Sequence, residues 1–207
     1  IEFIKQQAKD TDIFCLQEVF HNAVNVRPVL GDVRPNLFSE FEQMLGERFA
    51  GSYAASQDND EGLAMFVQKT IRIEEQGDVF VYKHKNAMIG DDGTTVGRNI
   101  QYVSFTQNNK QYTVVNFHGL WTGGDKKDTP ERFEQSKKVK RFLNDAPGAK
   151  VLCGDFNLLP DTESVAILEK GMRNLIKEHG ITSTRSHFYD KEPKFADYIM
   201  VSPEIKV

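Results

Sequence analysis

Ile1, Ile4 and Ala8 recur at helical spacing and predict a helix over residues 1–9. Residues 13–16, Ile-Phe-Cys-Leu, form an unbroken apolar run, the pattern of a strand buried on both faces. Phe38, Phe41, Met44 and Leu45 make a stripe that predicts a second helix, and residues 62–67 predict another buried strand. Polar and apolar positions alternate through residues 99–117 in the manner of a hairpin, with Asn108-Asn109-Lys110 as its turn. Asp128-Thr129-Pro130-Glu131 signals a helix start, with Phe133, Val139, Phe142 and Leu143 expected on the buried side. Residues 149–154 predict a strand, Asp161 is expected to cap a short helix running to Leu168, and residues 195–201 predict the last strand.

Helices and strands alternate early, and strands then come as hairpins. That order argues against a purely parallel doubly wound sheet and predicts an α/β (α+β) arrangement, two mixed sheets packed face to face with helices outside. The chain has 207 residues and no repeat or linker, so a single domain over 1–207 is expected.

Composition narrows the functional classes. No stretch approaches the roughly 20 apolar residues that span a bilayer. The net charge of −4 counts against tight, unspecific DNA binding, which rests on neutralising phosphates, but leaves room for a local basic groove. Cys15 and Cys153 are too few and too far apart for a disulfide framework or a zinc cluster, and are expected to be free, buried thiols in a reducing, cytoplasmic setting.

Polar side chains collect where predicted strands end. Gln17-Glu18 follows the first strand, His118 follows Val114-Val115-Asn116-Phe117, and Asp155 and Asn157 follow Val151-Leu152-Cys153-Gly154. Rigid strand ends and the loops after them are frequent positions for sites. Glu18 offers the hard oxygen that Mg²⁺ prefers, although a helix cap would also use it. The spacing of Asp155 and Asn157 lets both face one site while Phe156 points into the core; the plainer reading is an Asx-turn. Asp197 lies inside the apolar strand 195–201, where a charge is costly without a partner, and either a structural salt bridge or the orienting of a histidine would supply one.

Taken together, Leu16-Gln17-Glu18-Val19, Asn116-Phe117-His118-Gly119, Gly154-Asp155-Phe156-Asn157 and Asp197-Tyr198-Ile199 resemble the endonuclease/exonuclease/phosphatase superfamily over nearly the whole chain. The resemblance implies a four-layer αββα sandwich that hydrolyses phosphoesters with Mg²⁺ or Mn²⁺. It casts Glu18 as a metal ligand, Asp155 as the residue that positions or deprotonates the attacking water, and Asn157 as a phosphate contact. It casts His118 as a residue that touches the phosphate or protonates the leaving group, with Glu61 as its carboxylate partner. Arg98 resembles a phosphate-binding arginine, though it reads equally well as an exposed surface residue. Asp197 would orient a histidine in a Ser-Asp-His segment expected beyond residue 207, and a first strand carrying a metal-binding asparagine is expected before residue 1.

The expected chemistry is in-line attack of water on phosphorus, by a monomer acting on a phosphoester substrate, nucleic acid among the candidates. A phosphodiesterase or nuclease is the first reading and a phosphatase on a small-molecule or lipid phosphomonoester the second. The third, of another class, is an inactive relative that binds a partner through the old cleft. Residues 83–97 and 123–128, the latter with Lys126 and Lys127, read as solvated surface loops, although the two lysines could meet phosphate. Gly119-Leu120-Trp121 reads as a turn with a bulky anchor.

Overall fold

The structure is a computed structural model that describes residues 1–24, 34–58, 61–87, 97–123, 125–190, 192 and 194–207. Its elements are α1 (Glu2–Gln7), β1 (Ile13–Phe20), α2 (Leu37–Leu45), β2 (Phe49–Ala55), β3 (Glu61–Gln68), β4 (Ile73–Tyr82), β5 (Arg98–Gln107), β6 (Lys110–His118), α3 (Pro130–Asp145), β7 (Ala149–Asp155), α4 (Glu163–Glu169), β8 (Arg173–Asn174), α5 (Leu175–Glu178) and β9 (Asp197–Val201). Strands order as β1-β3-β2 in one sheet and β4-β5-β6-β7-β9-β8 in the other. The smaller sheet is antiparallel throughout, and the larger is mixed because β6 and β7 run parallel. That parallel pair needs a crossover, which α3 provides.

Three apolar clusters define four layers. Ile4 of α1, the adjoining Ala8 and Phe38, Phe41 and Leu45 of α2 cover Phe14, Ala64 and Phe66 on the outside of the smaller sheet. Met65 and Val67 meet Val103, Phe105 and Val114 between the sheets. Val139 and Leu143 of α3 and Val165 and Leu168 of α4 cover Val115, Phe117, Leu152 and Tyr198 on the outside of the larger sheet. The predicted αββα sandwich is the observed one. Alternating side chains on each strand divide between the middle and the outer layer, as the pleat requires.

Polar side chains interrupt the middle layer at the end nearest the catalytic candidates. Asn116 Nδ2 on β6 donates to Leu16 O (2.9 Å) and Ala64 O (3.2 Å) on the opposite sheet, and Gln101 Nε2 donates to Ser52 O (3.0 Å). Buried amides are expensive unless bonded, so these contacts fix how one sheet registers on the other.

Several local expectations needed correction. Phe133 is only half-buried, and the inner face of α3 includes Arg132 (1% exposed) and Gln135 instead. Arg132 Nε donates to Leu120 O and its Nη1 to Lys127 O, while Gln135 Oε1 accepts from Leu120 N, so the helix clamps the loop that follows His118. Asp161 does not cap α4; Thr162 Oγ1 accepts from Val165 N, one position later. Asp128 completes that cap from a distant loop, its two oxygens accepting from Glu163 N and Ser164 N. The hairpin turn stands as expected: Asn108 and Asn109 both have positive φ, and Gln107 pairs Lys110 across a two-residue loop. Cys15 and Cys153 are free but half-buried rather than fully buried. Residues 88–96, within the loop expected over 83–97, lie outside the described residues. Among the described residues no helix is long and apolar enough to cross a membrane.

Candidate active site

β1 runs through Glu18 to Phe20 instead of stopping before it, and its pairing with β3 is broken between Leu16 and Val19. Glu18 occupies that break with φ +54°. A bulge of this kind re-aims a side chain, and left-handed backbone at a residue other than glycine or asparagine costs energy that surrounding structure must offset. The Glu18 residue is exposed, yet its carboxyl is pushed above the ordinary carboxylate value by partial desolvation, then by the charges of Glu61 and Asp155, against Arg98 and Arg185. These five groups therefore lie close enough to act on one another's charge.

The larger sheet contributes a row of three side chains. His118 at the end of β6 lies in register with Asp155 at the end of β7, and Asp155 with Asp197 at the start of β9. Three predicted residues, far apart in sequence, thus line up across neighbouring strands. Two glycines let the backbones converge there. A Cβ on Gly154 (φ +138°) would fall 2.0 Å from Phe117 O, and one on Gly119 would fall 2.0 Å from Phe156 O. Between Asp155 and Asn157, Phe156 is 1% exposed and stacks on Tyr198, as the spacing predicted.

The Asx-turn is also present: Asp155 Oδ1 accepts from Asn157 N at 2.8 Å, which leaves Oδ2 for the cleft. Asn157 is buried with φ +52°, and its Nδ2 donates one hydrogen to Gly119 O at 3.3 Å. An amide nitrogen carries two hydrogens, so the other is available. Asp197 is pushed up to about 6, by desolvation first and then by Asp155.

Glu61, expected beside His118, is joined to it through Arg98. Arg98 Nη1 lies 3.2 Å from Glu61 Oε1 and 3.3 Å from His118 Nδ1. Arg98 itself is 8% exposed, so the plain reading of it as a surface arginine fails. A guanidinium only donates, which makes His118 Nδ1 the acceptor and places the ring proton on Nε2. Burial, then the Arg98 charge, hold His118 well below its ordinary value. His118 is therefore neutral at pH 7.

Two cations also act on these carboxylates: Arg185, which the sequence did not single out, and Lys126, which it placed on a surface turn while noting that it could meet phosphate. Arg185 reaches within 3.8 Å of Asp155 Oδ2 and 4.0 Å of Asp197 Oδ2, and its buried Nε has no partner among the described residues. Its segment carries no periodicity and no motif, so nothing in the sequence marked it. Lys126, expected on the surface, is 4% exposed, and its Nζ donates to Phe195 O at 3.1 Å. Asp155 and Asp197 are among the charges acting on it. Its proximity to His118 in sequence was the one available hint. The anchor of the 119–121 turn is Leu120, 1% exposed, whereas Trp121 is 52% exposed.

Among the described residues no group of three or more His, Cys, Asp or Glu side chains is placed to hold an ion. Mg²⁺ often takes one or two carboxylates and completes its shell with water. Glu18 suits that role, since a cation would offset the partial desolvation, and then the repulsion from Glu61 and Asp155, that raise its carboxyl.

The sequence pattern of the endonuclease/exonuclease/phosphatase family matches residues 1–207. The chain belongs to this family. Its members are hydrolases acting on phosphoesters and generally use divalent metal ions. Among solved structures, an endonuclease/exonuclease/phosphatase family protein from Bacteroides vulgatus superposes with a TM-score of 0.71 at 18% identity, covering 98% of this chain and 78% of that one. A mannosyl-6-phosphatase from Bacteroides thetaiotaomicron superposes with a TM-score of 0.71 at 19% identity, covering 98% and 76%. TDP2 from D. rerio, in complex with a single-strand DNA product, gives a TM-score of 0.67 at 15% identity, covering 97% and 75%. At these identities the likeness establishes the endonuclease/exonuclease/phosphatase fold alone. No curated protein matches the chain.

Proposed function

We propose that the protein is a divalent-metal-dependent phosphodiesterase, with nucleic acid the leading candidate substrate. One observation carries the choice. Among the described residues, four carboxylates, Glu18, Glu61, Asp155 and Asp197, and three cations, Arg98, Lys126 and Arg185, are linked by their charges around these strand ends. The balance is one net negative charge, and a divalent cation turns it into one net positive charge. A phosphodiester, which carries a single negative charge, complements that charge.

When bound at Glu18, Mg²⁺ or Mn²⁺ supplies neutralisation of the charge that develops on the phosphoryl oxygens. Asp155 Oδ2, the oxygen left over from the Asx-turn, accepts the proton of the attacking water. Asp197 lies beside it in register and, with Arg185, fixes that carboxylate's orientation. His118 donates Nε2–H to a non-bridging oxygen rather than protonating the leaving group, because a neutral imidazole is a poor acid. Asn157 offers its second amide hydrogen to the same phosphate. Such fixed donors act without reorganisation and are worth several kcal/mol in a dry site.

The second reading, a phosphatase on a small phosphomonoester, draws support from the likeness to the mannosyl-6-phosphatase. The discriminating experiment compares bis(4-nitrophenyl) phosphate, 4-nitrophenyl phosphate and single-stranded DNA in Mg²⁺, with EDTA controls. Preferential cleavage of the diester and DNA is expected. Cleavage of the monoester alone would favour the phosphatase, and no cleavage of any phosphoester would favour a binding role.

A further inference from the structure

Gly119-Leu120-Trp121, the turn that follows His118, is held from two directions. Gly119 N donates to Asp155 O at 2.6 Å, and Gly119 O accepts from Asn157 Nδ2 at 3.3 Å. One residue on, Leu120 N donates to Gln135 Oε1 at 2.9 Å, and Leu120 O accepts from Arg132 Nε at 3.2 Å. All four backbone polar groups that precede Trp121 in the turn are therefore bonded. Consecutive Cα atoms are about 3.8 Å apart, so Trp121 Cα stands within about 8 Å of Gly119 Cα. Further along the loop, Lys126 Nζ donates to Phe195 O at 3.1 Å and Lys126 O accepts from Leu159 N at 2.9 Å. Those bonds tie the loop to the segments that precede Asp197 and follow Asn157. Trp121 is thus fixed beside the row of His118, Asp155 and Asp197.

The indole takes no part in anchoring the turn. Leu120 is buried and does that, while Trp121 is 52% exposed and makes no ring or cation–π contact among the described residues. Gly123, at φ +76°, turns the chain back beneath the ring, where a Cβ would fall 3.9 Å from Trp121 Cη2. Apolar side chains exposed singly at scattered positions are ordinary. These are not scattered. Among the described residues three Phe or Trp side chains are exposed, Phe3, Trp121 and Phe188. Trp121 follows His118 by three positions, and Phe188 follows by three the Arg185 that reaches Asp155 and Asp197.

We propose that Trp121 is a stacking platform for an unpaired nucleobase next to the scissile phosphate, which makes single-stranded nucleic acid the substrate class. The inference rests on the phosphodiesterase reading above. Stacking on an indole needs a base that is not already stacked in a duplex, and every base has a suitable face, so the platform selects strandedness rather than sequence. A ring carried on a pinned backbone is ordered before the ligand arrives, so little freedom is lost on binding. The turn that presents Trp121 also holds Asn157 through Gly119 O, so one rigid segment sets the base contact and the phosphate contact together.

Trp121 is the single tryptophan of the chain, so tryptophan emission reports this position alone. The test titrates purified full-length protein in Mg²⁺ with a short phosphorothioate oligothymidylate, which resists cleavage, and with the same oligonucleotide annealed to its complement. Tryptophan emission is followed together with the anisotropy of a label on the oligonucleotide. The single strand should quench the emission saturably, over the concentrations that raise the anisotropy, and the duplex should quench it little. By anisotropy Trp121→Ala should bind the single strand about tenfold more weakly, and Trp121→Phe, which keeps a ring, should lose less. Binding with unchanged emission, wild-type affinity in Trp121→Ala, tighter binding of the duplex, or no binding of the oligonucleotide would each overturn the platform. Turnover of bis(4-nitrophenyl) phosphate, which carries no base, is measured alongside. Turnover without quenching keeps the phosphodiesterase and removes the platform, whereas quenching without turnover keeps the platform as a nucleic-acid contact and removes the phosphodiesterase.

Discussion

Arg98 donates to His118 Nδ1 across 3.3 Å while the same nitrogen holds Glu61 at 3.2 Å. A histidine addressed by a buried guanidinium cannot take up a proton on the addressed nitrogen without placing two cations side by side. The pH–rate profile of the wild type should therefore show no limb from His118 near its ordinary 6.5. His118→Ala should lower turnover about a hundredfold with an unchanged profile shape, as expected for one lost transition-state donor. A limb near that pH that vanishes in the variant would mean that His118 titrates and acts as an acid.

Glu61 is the only carboxylate among the described residues that pairs with Arg98, whose side chain is 9% exposed. Removing one partner of a buried pair strands the other. Glu61→Ala should destabilise the fold by about 3 kcal/mol in urea titration, and Glu61→Gln, which keeps an accepting oxygen, by less. A neutral effect of the alanine would show that Arg98 finds solvent easily.

Gly119 and Gly171 separate close approach from backbone conformation. A Cβ on Gly119 meets Phe156 O at 2.0 Å, while one on Gly171, at φ +73°, meets nothing within 4 Å. Gly171→Ala should cost about 1 kcal/mol for the left-handed residue. Gly119→Ala should cost about 3 kcal/mol or more through displaced backbone and should abolish turnover. Equal melting temperatures for the two variants would contradict this packing.

Much of this architecture was legible in sequence. Strands buried on both sides announced themselves, as did the hairpin through Asn108-Asn109 and the residues at strand ends that become the His118–Asp155–Asp197 row. Strands β2 and β4 were silent. β4 carries Glu74, Glu75, Gln76 and Asp78, and β2 is largely small residues, because an outer strand has little to bury. The bulge at Glu18 was invisible because it depends on pairing with β3. Arg185 was missed, and Lys126 was placed on the surface, because loops positioned by tertiary contacts carry no periodic signal.

Asp197 supplies a pH test of stability. Its carboxyl is raised from 3.8 to about 6, so between those values the folded state holds more protons than the unfolded one. Stability from this group is complete below 3.8 and is lost as pH rises through about 6. Asp197→Asn should flatten that part of the stability–pH curve. The side chain is 46% exposed, so solvent screening limits the gain at pH 7 to about 1 kcal/mol. Chemical denaturation across that pH range measures it, and parallel curves for both proteins would contradict the burial of this charge.

In the proposed mechanism Glu18, held in its bulge, is the carboxylate that recruits the divalent cation. The most direct test measures bis(4-nitrophenyl) phosphate turnover against Mg²⁺ concentration for wild type and Glu18→Gln, with circular dichroism to establish that both are folded. Saturable Mg²⁺ dependence is expected in the wild type, and a loss of about a thousandfold in the folded variant, with a weaker response to Mg²⁺. Near-normal, Mg²⁺-dependent turnover in Glu18→Gln would contradict it.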